Sequence, residues 1–242
     1  DTYNKLEIER KRLHQLLLKD INNQPHRHFF GDVDEYYDFM SYWDLEDPRQ
    51  QIAGILGRYV NWAYPIAYFD PNNSEFLRLL ISGDPLYYID DKKGSYDRAV
   101  KKLPDGKKLR YYSYNDAEKY LENESILLSV CWNSFPFVRV SEIRQKLKLM
   151  TQLTKPGGYI IFNYADASTS VGANIIEKYR LTFLWKEFIA KLVKDCQLEI
   201  VYDKTIADNS FNVVVCHKPG AYENLSLVNK VGLVLPNKKD FR

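Results

Sequence analysis

Apolar positions along the chain follow two alternating patterns. Short runs rich in apolar and aromatic residues occur at 65–70, 86–89, 109–114, 126–131 and 159–164. Runs of this length and composition predict strands, buried on both faces where the run is unbroken. Between them lie segments with apolar residues at helical spacing. Phe76, Leu77, Leu79 and Leu80 mark one within 72–82, and Val140, Ile143, Leu147 and Met150 mark another within 138–154. Residues 50–62, 95–103 and 115–123 complete the helical set. Gly83-Asp84-Pro85 and Pro104-Asp105-Gly106 predict turns. Lys155-Pro156-Gly157-Gly158 is expected to stop the helix before it, since Pro156 disfavours a helical Lys155 and the glycines accept positive φ. Beyond 164 the pattern gives a polar loop over 165–172, helices over 175–179 and 184–196, and strands over 198–205 and 211–217. Asp208-Asn209-Ser210 joins the last two strands as a hairpin-type turn.

Strands alternating with helices at this spacing predict an α/β fold, a doubly wound, mostly parallel sheet of seven strands. The α/β domain spans 59–219. Before it, residues 1–58 form an extension with a charged helix over 3–21, whose narrow apolar stripe is Leu6, Leu13, Leu17 and Ile21. Such a stripe suits either a partner helix or the surface of the chain's own domain. Residues 220–242 form a C-terminal arm, in which 231–235 suits an edge strand or a contact with a neighbouring chain. Helix and arm are the two places where a protein partner is expected.

Composition narrows the function classes. The chain has 242 residues, 45% hydrophobic and 27% charged, enough for a large core. Its 34 basic and 32 acidic residues leave a net charge of +2, which gives no electrostatic case for nucleic acid or an anionic membrane. No apolar stretch is long enough to span a bilayer. The 19 tyrosines suit a tyrosine-rich core or a tyrosine-rich contact surface. Cys131, Cys196 and Cys216 are unpaired in sequence and sit in apolar runs, as reduced buried thiols do. A reducing environment is therefore expected, cytoplasmic or within a particle. Asp1 stands where a methionine would begin a chain, which reads as a processed or trimmed chain. His26 and His28, followed by Asp32, Asp34, Glu35 and Asp38, invite a metal, but no second cluster completes a ligand set, so no metal is expected. The four histidines are scattered, and none belongs to a Ser–His–acid set.

The unit over 126–164 carries a family resemblance. A strand ending in a polar–aromatic cluster, a long helix, then Leu153-Thr154-Lys155-Pro156-Gly157-Gly158 and another strand resembles the fourth-to-fifth-strand unit of class I S-adenosylmethionine (SAM) dependent methyltransferases. The resemblance covers about 59–219. It implies that the last strand is antiparallel, and that a ligand lies at the carboxyl ends of the central strands, where the strand order reverses.

Four places then become candidate sites for SAM. After the first strand, Asp70-Pro71-Asn72-Asn73-Ser74-Glu75 stands where the family has a glycine-rich loop; Asp70 keeps the opening acid, Asn72 tolerates unusual φ, and every glycine is replaced. At the end of the second strand, Asp90 or Asp91 matches the acid that binds the ribose hydroxyls. After the third, Asn115 and Asp116 match the adenine contact, although Asp116 equally suits a helix cap. After the fourth, Trp132 suits cofactor stacking, while Asn133 and Phe135, with Tyr164 at the end of the fifth strand, suit substrate contacts. The same rings would equally close the top of the sheet. Tyr111, Tyr112 and Tyr114 are further candidate liners.

Two functions fit these readings. One is a SAM-dependent methyltransferase of unassigned acceptor. The other is a non-catalytic module on the same fold, serving assembly in a larger complex such as a viral particle.

Overall fold

The computed structural model describes residues 64–71, 83–101, 109–206 and 211–220, with the isolated positions Ile55, Tyr59, Leu77, Leu80 and Ile81. All of them belong to one compact unit, Leu45–Arg242. The helix expected over 3–21, His26 and His28, Asn72, and the arm from 221 lie outside the described residues.

Seven strands form one sheet: β1 (Ile66–Phe69), β2 (Leu86–Ile89), β3 (Leu109–Tyr112), β4 (Ile126–Cys131), β5 (Thr154–Tyr164), β6 (Glu199–Ile206) and β7 (Phe211–His217). Their order is β3-β2-β1-β4-β5-β7-β6. The first five are mutually parallel, and β7 runs antiparallel between β5 and β6. The mostly parallel, doubly wound sheet is therefore as expected. The strand order reverses between β1 and β4, so the crevice of the fold lies at their carboxyl ends.

The helices among the described residues are α1 (Lys93–Val100), α2 (Tyr114–Tyr120), α3 (Val140–Leu153), α4 (Ser170–Tyr179) and α5 (Lys186–Asp195). Ala117 of α2, Ile143, Leu147 and Met150 of α3, and Ile189 and Leu192 of α5 share one core with Phe69, Ile89, Phe162 and Val214 of the sheet. Alternate strand residues Tyr68, Tyr88, Val130 and Ile161 are equally buried. Tyr96 of α1 packs on Tyr88 there, ring centroids 5.6 Å apart. Side chains that alternate along a strand point to opposite faces, so both faces are covered, and this is why β1, β2 and β4 read as unbroken apolar runs.

Several boundaries differ from expectation, three of them for a visible physical reason. Lys155-Pro156-Gly157-Gly158 is not a turn after the helix but part of β5, which begins at Thr154 directly after α3. Thr154 caps the helix by donating its hydroxyl to the Met150 carbonyl at 2.7 Å. The four following residues bulge from the ladder, so that Ile126 pairs with Thr154 but Leu128 with Tyr159. Gly157 takes φ 79° and donates to the Lys218 carbonyl at 2.8 Å. Lys218 also clamps the junction through its ammonium, which reaches the Thr151 and Thr154 carbonyls at 3.0 and 2.8 Å and Glu124 Oε1 at 3.0 Å.

Strand β3 ends at Tyr112 rather than 114, because Ser113 caps α2 and accepts from the Asp116 amide at 3.1 Å. Helix α4 starts at Ser170, inside the expected loop, because Thr169 accepts from the Gly172 amide at 3.0 Å.

Candidate functional site

Strand ends place the site. The register pairs Phe69 with Ile89 and with Cys131, so the next residues, Asp70, Asp90 and Trp132, leave β1, β2 and β4 at one level. Asp70 turns into the left-handed region, φ 45°, which aspartate tolerates better than most residues. Its amide donates to the Ile89 carbonyl at 2.8 Å, and Tyr88 pins the next turn by donating to the Pro71 carbonyl at 3.2 Å.

The Asp70 carboxylate is the centre of a polar cluster. Lys146 of α3 and the Ser134 hydroxyl both donate to Asp70 Oδ2, and the Lys146 ammonium lies 3.0 Å from Ser134 Oγ. The side chains of Lys146 and Asp70 are only 14% and 15% exposed, so solvent screens the pair little. The ammonium also lies 5.2 Å from the centre of the Tyr114 ring. Burial and the Asp70 carboxylate push up both the Tyr114 phenol and the Cys131 thiol, keeping them protonated. Lys146 is a donor to both Asp70 Oδ2 and Ser134 Oγ. Among the described residues the cluster therefore binds and orients charge and holds no activated nucleophile.

Asp90 differs. It is 5% exposed, yet among the described residues its carboxylate accepts one hydrogen bond, from the Lys92 amide to Oδ1 at 2.9 Å. Burial pushes its carboxyl up to about 6, against the pull of that amide and with a further push from Asp70. A buried carboxylate with a single donor has capacity for more.

The remaining sequence candidates fall in different places. Asp91 is exposed and accepts from the Tyr114 amide at 3.0 Å, which ties the β2 end to α2. Asn115 and Asp116 are exposed in the first turn of α2, and Asp116 accepts from Ser113 Oγ at 2.7 Å. Trp132, Asn133 and Phe135 are buried beyond β4. Asn133, at φ 59°, is held by an amide clasp with Asn163: its amide donates to Asn163 Oδ1 at 2.7 Å, and Asn163 Nδ2 donates to Asn133 Oδ1 at 2.6 Å. Phe135 packs on Phe162, centroids 4.8 Å apart. Tyr164 is buried at the β5 end and accepts from Asn212 Nδ2 at 3.2 Å, which joins it to β7 rather than to Asp70. Tyr112 packs in the core against Tyr87, and Tyr111 against Tyr96.

Sequence reasoning missed Lys146, Ser134 and Asn163. Lys146 left one signal: it lies on the helix stripe beside Ile143, Leu147 and Met150, where a solvated lysine is out of place.

No protein-family model and no curated protein matches the sequence. Solved structures do match the fold. A chain from the Haloferax volcanii complex containing the Trm112 methyltransferase activator aligns with TM-score 0.59 and 13% identity, over 73% of this chain and 90% of that one. A SAM-dependent methyltransferase from Methanosarcina mazei aligns with TM-score 0.56 and 15% identity, over 69% and 98%. Geranyl diphosphate C-methyltransferase from Streptomyces coelicolor, bound to Mg2+, geranyl diphosphate and S-adenosyl-L-homocysteine, aligns with TM-score 0.54 and 10% identity, over 70% and 77%. Strand order, the antiparallel β7 and these alignments agree: the chain has the class I SAM-dependent methyltransferase fold.

Proposed function

We propose that the chain binds SAM across the carboxyl ends of β2 and β1 and transfers its methyl group to an acceptor. The observation that carries this reading is Asp90, a buried carboxylate with a single hydrogen-bond donor among the described residues, next to the crevice where this fold binds ligands. The two ribose hydroxyls of SAM are the donors such a group lacks. Asp91, engaged with the Tyr114 amide, would steady the α2 end of the site, with Asn115 at its rim. Trp132, Asn133 and Phe135 would form a dry floor beyond β4, and Tyr164 a wall anchored to Asn212.

Bound SAM supplies both the methyl group and its leaving group. The chain's own residues then need only align the reactants and exclude water, which buried aromatic and amide side chains do without proton transfer. That the described residues beside Asp70 include no activated nucleophile is consistent with this chemistry. The assembly reading finds no supporting observation among the described residues. Calorimetric titration with SAM tests the proposal. Saturable binding that weakens at least tenfold in Asp90→Ala is expected, and no heat at millimolar SAM would refute it.

A further inference from the structure

The ammonium of Lys146 lies where a cationic ligand would meet the crevice. If Asp90 holds the ribose and the adenine meets Asn115 and Asp116, as the family resemblance implies, the strand order β3-β2-β1 would send the methionine end the other way, over β1. Asp70 is the carboxylate at the β1 end, directly beside Asp90 in the sheet register. The methionine end of SAM carries an ammonium and a sulfonium. Asp70, however, is already neutralised by Lys146, steadied by the Ser134 hydroxyl and by the Tyr114 ring. The lysine rises from a helix face whose neighbours Ile143, Leu147 and Met150 are buried, so its stem is held in place.

We infer that Lys146 is a specificity-determining residue that competes with the cationic methionine end of SAM for Asp70, and so weakens binding of SAM without weakening binding of its adenosine part. This rests on the reading of Asp90 given above. Any cation arriving at Asp70 must either displace the Lys146 ammonium or lie beside it, and like charges at a few ångströms in a poorly screened site repel strongly. Adenosine carries no charge and does not reach β1.

The test is a calorimetric comparison of the wild-type chain with Lys146→Met and Lys146→Arg, each titrated with SAM and with adenosine. Thermal unfolding without ligand confirms that each variant folds. Lys146→Met is expected to bind SAM about tenfold tighter or more, with its adenosine affinity within about twofold of wild type. Lys146→Arg keeps the charge and is expected to bind SAM within about threefold of wild type. A Lys146→Met that binds SAM no more tightly than wild type, or that gains equally for adenosine, overturns the inference and leaves the SAM reading in place. If no variant binds SAM or adenosine, the reading beneath the inference fails and the inference with it.

Discussion

Replacing Asp90 by asparagine should make the protein more stable at neutral pH. The Asp90 carboxyl is pushed up to about 6 from its ordinary 3.8, chiefly by burial. A difference of roughly two units sets a ceiling of about 3 kcal/mol on the cost of carrying this charge in the folded state. Below about pH 4 the group is protonated folded or unfolded, and the cost is absent. Between about 4 and 6 the folded protein holds more protons than the unfolded chain, so stability falls as pH rises through this window, and the full cost is present above it. Asparagine keeps an acceptor for the Lys92 amide and removes the charge. Allowing for relaxation around the wild-type carboxylate, Asp90→Asn should gain about 1–2 kcal/mol at pH 7.5 and much less at pH 4.5. Urea unfolding followed by tryptophan fluorescence at both pH values measures the difference. A variant no more stable than wild type at pH 7.5 would refute the reasoning. The same variant should bind SAM more weakly, because an amide is a poorer acceptor for two hydroxyls than a carboxylate. A charge kept at a cost in stability is the mark of a functional site.

Three further predictions follow from the geometry. In a double-mutant cycle of Asp70→Asn and Lys146→Met, urea unfolding should give a coupling of about 1–3 kcal/mol, between the values for exposed and buried pairs, and a coupling near zero would mean the pair is not formed in solution. Lys218→Met removes three hydrogen bonds at the α3–β5 junction and should cost about 1–3 kcal/mol in unfolding free energy, with faster amide exchange at the end of α3. Gly172→Ala would place a Cβ 2.0 Å from the Asp166 carbonyl oxygen, so thermal unfolding should shift down by several degrees, corresponding to about 2 kcal/mol or more.

Much of the sheet was legible in the sequence. Strands β2, β4 and β7 coincide with their expected runs, because all three are buried along nearly their whole length and their few polar residues, such as Ser129 and Asn212, are buried with the rest. The β5 bulge was not legible. Pro156 and two glycines read as a turn in isolation, and only Lys218, brought alongside by β7, shows why the segment pairs instead. Of the site, Asp70 and Asp90 could be found because each follows an apolar run directly. Lys146 could not be assigned a partner, since it meets a carboxylate 76 residues away in the chain. Asp116 was open between two roles, and its bond to Ser113 places it at the helix cap. The rings of Trp132 and Phe135 were open between ligand stacking and closing the sheet, and both are buried.

Calorimetric titration of the wild-type chain with SAM, with Asp90→Asn run beside it, tests the central claim most directly. The account predicts one saturable site, with an affinity that falls in the variant while the variant's stability rises at pH 7.5. A wild-type chain that gives no heat and no thermal shift at millimolar SAM would contradict it.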